Sequence, residues 1–144
     1  MNIKVMYHSS TGNTGKLAHA IADCLHTKAE PIGAASGVFA QPVDLLFIGD
    51  GIYAGKPSKK TIAFIETLKP ETVKYATVFA TYGGQAKIGE DMKSLLERQG
   101  IKVLGEPFTC KGQAWFFANR HHPDSSDMER ARDFAKNILS KIEQ

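Results

Sequence analysis

Apolar and polar positions alternate between two periods along this chain, so strand-like and helix-like stretches follow one another from end to end. Ile3, Val5, Met6 and Tyr7 form a short apolar run of strand length. Leu17, Ala20, Ile21, Cys24 and Leu25 then recur at the offsets of one helical face. Residues 28–33 make a weak strand, because Pro31 has no N–H to give a ladder, and such a strand belongs at a sheet edge. Residues 43–49 are nearly continuous in apolar character, the mark of a central parallel strand covered on both faces. Pro57 and Ser58 open a second helix carrying Ile62, Ile65 and Leu68, which Pro70 closes. Residues 76–81 read as a further strand. Ile88, Met92, Leu95 and Leu96 mark a helix ended by Gly100, and residues 101–104 make a short last strand. In the final helix Met128, Ala131, Ala135, Ile138 and Ile142 line one side, and Ser126 with Glu129 gives a capping-box pattern.

Strands that are each followed by a helix or crossover predict an α/β fold: a five-stranded parallel sheet with helices on both faces, in a single domain over residues 1–144. That length suffices for one sizeable core. With 42% hydrophobic and 23% charged residues, the chain has the composition of a folded domain rather than a disordered one. No apolar run reaches the roughly 20 residues that cross a bilayer, and the apolar start is too short for a secretory signal. The expectation is a cytoplasmic protein without membrane association. Cys24 and Cys110 agree with it: their separation is not a metal spacing, and they read as buried small hydrophobes. The net charge of +3 is spread over the chain, with no basic stripe interleaved with aromatic residues, so nucleic acid is not an expected partner.

The chemistry concentrates between the first strand and the first helix, in Ser9-Ser10-Thr11-Gly12-Asn13-Thr14. Hydroxyl side chains, a glycine and an asparagine fill these positions with no acid among them. Backbone N–H groups of such a turn, the helix N-terminus and the hydroxyls together make an anion site suited to a phosphate. Gly12 permits the tight turn, and Asn13 tolerates unusual backbone angles. Capping a helix needs only one such residue. A Walker A loop would need glycine at Ser10 and a hydroxyl at Leu17, and the spacing of a dinucleotide fingerprint is absent.

Residues 9–14 resemble the phosphate loop of the flavodoxins throughout, and the order of elements resembles that family over the whole chain. The likeness is to short-chain flavodoxins, within a poorly characterised bacterial branch. It implies strand order 2-1-3-4-5, with β2 at an edge as Pro31 requires, and one FMN bound at the carboxyl ends of the strands. It also implies that two further loops hold the flavin ring: Gly51, Ile52, Tyr53, Ala54 and Gly55 after the third strand, and Thr81, Tyr82, Gly83 and Gly84 after the fourth. Each offers one tyrosine among glycines, a ring to stack on and bare backbone for the flavin's polar edge.

The chain departs from the family in lacking a tryptophan in the first flavin loop and in carrying Lys56, Lys59 and Lys60 where many flavodoxins are acidic. Its only tryptophan, Trp115, follows the last strand. His121 and His122 with Asp124 read as a solvated turn rather than a metal site, and no metal is expected. His8 reads as a structural residue. The resemblance implies a monomeric, low-molecular-weight electron carrier that meets a reductase donor and an acceptor protein. An FMN-dependent NAD(P)H:quinone-type oxidoreductase is the alternative, although such enzymes are typically longer. A phospho-receiver would match Asp50 and Lys111, but lacks its acidic pair after the first strand.

Overall fold

The structure, a computed structural model, describes residues 1–9, 12–33, 39–52, 56–82, 88–111 and 123–143. β1 (Ile3–His8) leads into α1 (Asn13–Cys24), β2 (Ala29–Pro31) and β3 (Val43–Ile52). Then come α2 (Lys59–Glu66), β4 (Val73–Tyr82), α3 (Ile88–Arg98), β5 (Lys102–Val103), β6 (Phe108–Lys111) and α4 (Ser125–Glu143). The strands pair in parallel in the order β2-β1-β3-β4-β5, and β6 also pairs with β4. The expected fold and strand order are therefore present, with β2 and its proline at the edge.

The period-two alternation of the strands divides the core into two layers. Val5, Leu45, Phe47 and Phe79 point to the face covered by Leu17 and Ile21 of α1 and Ala131, Ala135 and Ile138 of α4. Met6, Leu46, Ile48 and Val78 point to the opposite face, against Phe64 and Ile65 of α2 and Met92 and Leu96 of α3. Burial on this scale, about 1.5–3 kcal/mol per large apolar side chain, explains why residues 45–48 of β3 are all large and apolar. Among the described residues, no helix is long and apolar enough to cross a membrane.

Local punctuation follows the expected chemistry at two helix ends. Ser58 caps α2, its Oγ accepting from Thr61 N at 3.2 Å. Gly100, at φ +82°, ends α3: its N–H donates to Glu97 O at 2.9 Å and that of Ile101 to Leu96 O at 3.2 Å, both bonds of a Schellman motif.

Two readings need correction, and the sheet gains one strand. Among the described residues β6 joins the expected five, since β5 pairs with Tyr75 and Ala76 whereas β6 pairs with residues 79–82 of the same strand. The last edge position is thus filled by two short strands end to end, with Gly105 at φ +67° between them. The start of α4 is capped by Asp124 and Asp127, each of which accepts from the other's backbone N–H at 2.9 Å. Ser126 lies inside the helix and is exposed, and Glu129 pairs with Arg132 instead. Finally, Gly51 and Ile52 are the last residues of β3 rather than loop, held by pairing with Thr81 and Tyr82.

Candidate functional site at the carboxyl edge of the sheet

Parallel pairing brings the carboxyl ends of β1, β3, β4 and β6 to one edge. His8 stands beside Asp50, Gly51 beside Thr81, Ile52 beside Tyr82, and Tyr82 beside Lys111. From β1 the chain returns through α1 on one face, and from β3 through α2 on the other. Connections that part in this way open a crevice between the two strand ends, the place where open parallel sheets bind ligands.

The first wall of the crevice is the β1–α1 turn. Gly12 is the N-cap of α1 with φ +89° and ψ −9°, a left-handed conformation that a side chain would strain. Its N–H donates to Ser9 Oγ at 2.9 Å. Glycine has no side chain with which to cap a helix, and the first turn of α1 holds no acid. First-turn amides have no partner inside a helix and carry the positive end of its dipole, so the start of α1 suits an anion. Asn13 and Thr14 are 2% and 1% exposed at this point. Thr14 Oγ1 and Thr81 Oγ1 share a hydrogen bond of 2.8 Å, which ties the turn to the end of β4.

The second wall is built on Asp50. Immediately before it, a Cβ on Gly49 would lie 2.1 Å from the Phe79 ring on the neighbouring strand, so only glycine lets that ring lie across β3. Asp50 itself is 0% exposed, and both of its carboxylate oxygens have hydrogen-bond partners. Oδ1 accepts from Gly51 N at 2.7 Å and lies 3.2 Å from His8 Nδ1, while Oδ2 accepts from Ser58 N at 2.7 Å. A carboxylate accepts, so Nδ1 of His8 carries the hydrogen. Gly51 lies near the end of β3, before the β3–α2 connection, and Ser58 caps α2 at its far side. One buried side chain thus closes this connection on itself and fastens it to β1.

Of the residues expected in the site, Ser9, Gly12, Asn13, Thr14, Gly51, Ile52, Thr81 and Tyr82 lie along this edge. Ser10, Thr11, Tyr53, Ala54, Gly55, Gly83 and Gly84 lie outside the described residues, as do Trp115, His121 and His122. The reading of the sequence gave Asp50 no place among the site residues. Its signal was an acid at the end of an otherwise apolar strand, followed by a serine at a helix start. Cys110 pairs across from Thr81 in the sheet and is buried. Burial, reinforced by Asp127 and Asp124 against Arg130, pushes its thiol up from 9.0 to about 12. It remains a protonated, unreactive group.

Residues 4–115 match the family model described as a flavodoxin domain. An uncharacterised protein of Methanocaldococcus jannaschii, MJ0298, is 33% identical over 137 residues, covering 88% of this chain and 90% of that protein. Among solved structures, a flavodoxin from the domain Archaea superposes with a TM-score of 0.81 at 16% identity, over 100% of each chain. Oxidised Flavodoxin 1 from Bacillus cereus superposes with a TM-score of 0.77 at 16% identity, over 97% of this chain and 98% of that one. At such identities the structures speak for the fold; the family match, which spans residues 4–115 and so most of the chain, places this protein in the flavodoxin family.

Proposed function

We propose that this chain binds one FMN in the crevice between β1 and β3 and serves as a cytoplasmic carrier of electrons between a reductase and an acceptor protein. The observation that carries the reading is the turn at Gly12. It combines a left-handed glycine at the helix start, a first turn without acid, a buried Asn13, and a buried Thr14 hydrogen-bonded across to β4. That is a built anion site, and it stands beside the ends of two strands whose connections are rich in glycine and carry one tyrosine each.

In this reading Ser9, Ser10, Thr11, Gly12, Asn13 and Thr14 receive the phosphate. Gly51, Ile52, Tyr53, Ala54 and Gly55 flank one side of the ring, and Thr81, Tyr82, Gly83 and Gly84 the other. Bound FMN supplies one- and two-electron redox chemistry, which the protein's side chains do not offer. The chain contributes binding and orientation. Asp50 holds both ends of the β3–α2 connection before any ligand arrives, so less ordering entropy is lost on binding.

Titration of the apo-protein with FMN and with riboflavin tests the reading. Removing the phosphate forfeits charge-assisted bonds at about 1.5–3 kcal/mol each, so FMN binds at least ~100-fold more tightly than riboflavin. Equal affinities would end the assignment. Rapid reduction of the loaded protein by NADPH alone would favour a quinone-reductase-type enzyme over a carrier.

A further inference from the structure

The four helices carry their charges in two opposite senses. α3 begins with Glu90 and Asp91 and ends with Arg98, and α4 has Asp127 in its first turn and Lys141 in its last. Both arrangements complement the helix dipole, with acids at its positive end and a base at its negative end. α1 and α2 have no acid in the first turn and no base in the last. Lys16 stands in the first turn of α1, Lys59 and Lys60 open α2, and Lys56 precedes it, whereas the acids of these helices, Asp23 and Glu66, stand at the far ends.

Helix stability therefore does not account for these lysines. Neither does local pairing: the ion pairs among the described residues are made by other side chains. All four lysines are exposed. α1 and α2 leave the sheet from β1 and β3 on opposite faces. The helix starts that carry these lysines therefore lie on either side of the β1–β3 crevice, while Glu90 and Asp91 start α3 beyond β4. The buried Asp50 between them has its carboxylate occupied by its own loop. Exposed like charges gathered around a cleft act chiefly at long range, steering a partner of opposite sign.

We infer that this basic rim is the docking face for an acidic electron-transfer protein, one that presents carboxylates around its own redox centre. The inference rests on the FMN-carrier reading. Charge complementarity identifies the partner, and the location at the crevice brings its redox centre to the electron's point of exit.

The test mixes fully reduced, FMN-loaded protein with a c-type cytochrome of acidic surface and, separately, one of basic surface, at rising ionic strength. Two ferric haems become ferrous for each flavin reoxidised, and the flavin's protons pass to solvent. At low salt the acidic cytochrome reacts at least ~10-fold faster than at high salt, and the basic one shows no such decline. Converting Lys16, Lys56, Lys59 and Lys60 together to Gln abolishes that advantage while the FMN affinity stays within about twofold; converting them to Arg preserves it. Salt-independent rates, a faster basic cytochrome, or a Gln variant that behaves as wild type would overturn the inference. So would duplex DNA binding that the same Gln variant loses, which would assign the rim to nucleic acid. Absence of flavin absorbance before mixing would remove the carrier reading itself, and is seen separately.

Discussion

The part of the molecule built on β1 and β3 and the part built on β4 and β6 start their helices in different ways. At α4, Asp124 and Asp127 satisfy each other's backbone amides, and Arg130 folds back onto Asp127. Two of the amides at this helix start are thus satisfied by its own acids. At α1 a glycine precedes the helix and lysine follows in its first turn, and at α2 a serine cap is followed by two lysines. Each charge placed against the dipole gives up roughly 0.3–1 kcal/mol. That is appreciable in a domain whose net stability is about 5–15 kcal/mol. Stability is optimised where the chain only has to hold itself together and relinquished beside the crevice. What holds the crevice side instead is buried polar bonding, through Asp50 and the Thr14–Thr81 pair.

Removing that bonding is the strongest way to break the contrast. Asp50→Ala leaves the partly buried N–H groups of Gly51 and Ser58 and the ring of His8 without their acceptor. We expect a loss of about 2–4 kcal/mol in urea unfolding, with FMN affinity falling in parallel. Asp50→Asn, which retains one acceptor oxygen, should lose less. A change below about 0.5 kcal/mol for the alanine variant would mean that the loop is held by other contacts.

The cap at α4 gives the next largest effect. Asp124→Ala should cost about 1 kcal/mol, whereas Ser126→Ala should stay within about 0.5 kcal/mol of wild type. Thermal unfolding of the two variants side by side decides the matter, and the reverse ranking would restore the Ser126–Glu129 box.

Charge reversals sharpen the comparison directly. Lys59→Glu should stabilise the fold by about 0.3–1 kcal/mol, and Glu90→Lys should destabilise it by a similar amount. If both shift the melting temperature in the same direction, the two halves do not differ as described.

Cys110 contributes the smallest effect near neutral pH. Its folded value of about 12 lies above the ordinary 9.0, so below pH 9 the thiol is protonated in both folded and unfolded chains and stability is flat. Between pH 9 and 12 the unfolded chain ionises first, and stability falls. Iodoacetamide at pH 8 should therefore label the half-buried Cys24 and spare Cys110, and mass spectrometry of the peptides reads the outcome directly.

Much of this architecture is legible in the sequence because its signals are local. The period-two and helical patterns along β1, α1, β3 and α4 depend only on which side of an element is buried. Pro31 excludes β2 from the sheet interior by its own chemistry, and the hydroxyl-rich run after β1 shows its preference for an anion without reference to any distant residue. The less legible parts depend on distant partners. Phe108–Lys111 has no periodicity of its own and becomes a strand because β4 runs on past β5, leaving backbone groups to pair. Two capping patterns overlap at residues 124–129, and packing of Ala131, Ala135 and Ile138 against the sheet selects the earlier start.

By itself, then, the sequence determined the alternation of strands and helices from β1 to β5, the two-sided core and the glycine at the first turn, since each follows from neighbours within one helix, strand or turn. Tertiary structure alone decided that Asp50 would meet His8 and Ser58, 42 and 8 residues away, and that Thr14 would reach Thr81. It also decided that the lysines of α1 and α2 would share one rim. A side chain's charge is written in the chain, but the partner it faces depends on strand register and crossover direction, and these are settled only when the whole sheet closes its core.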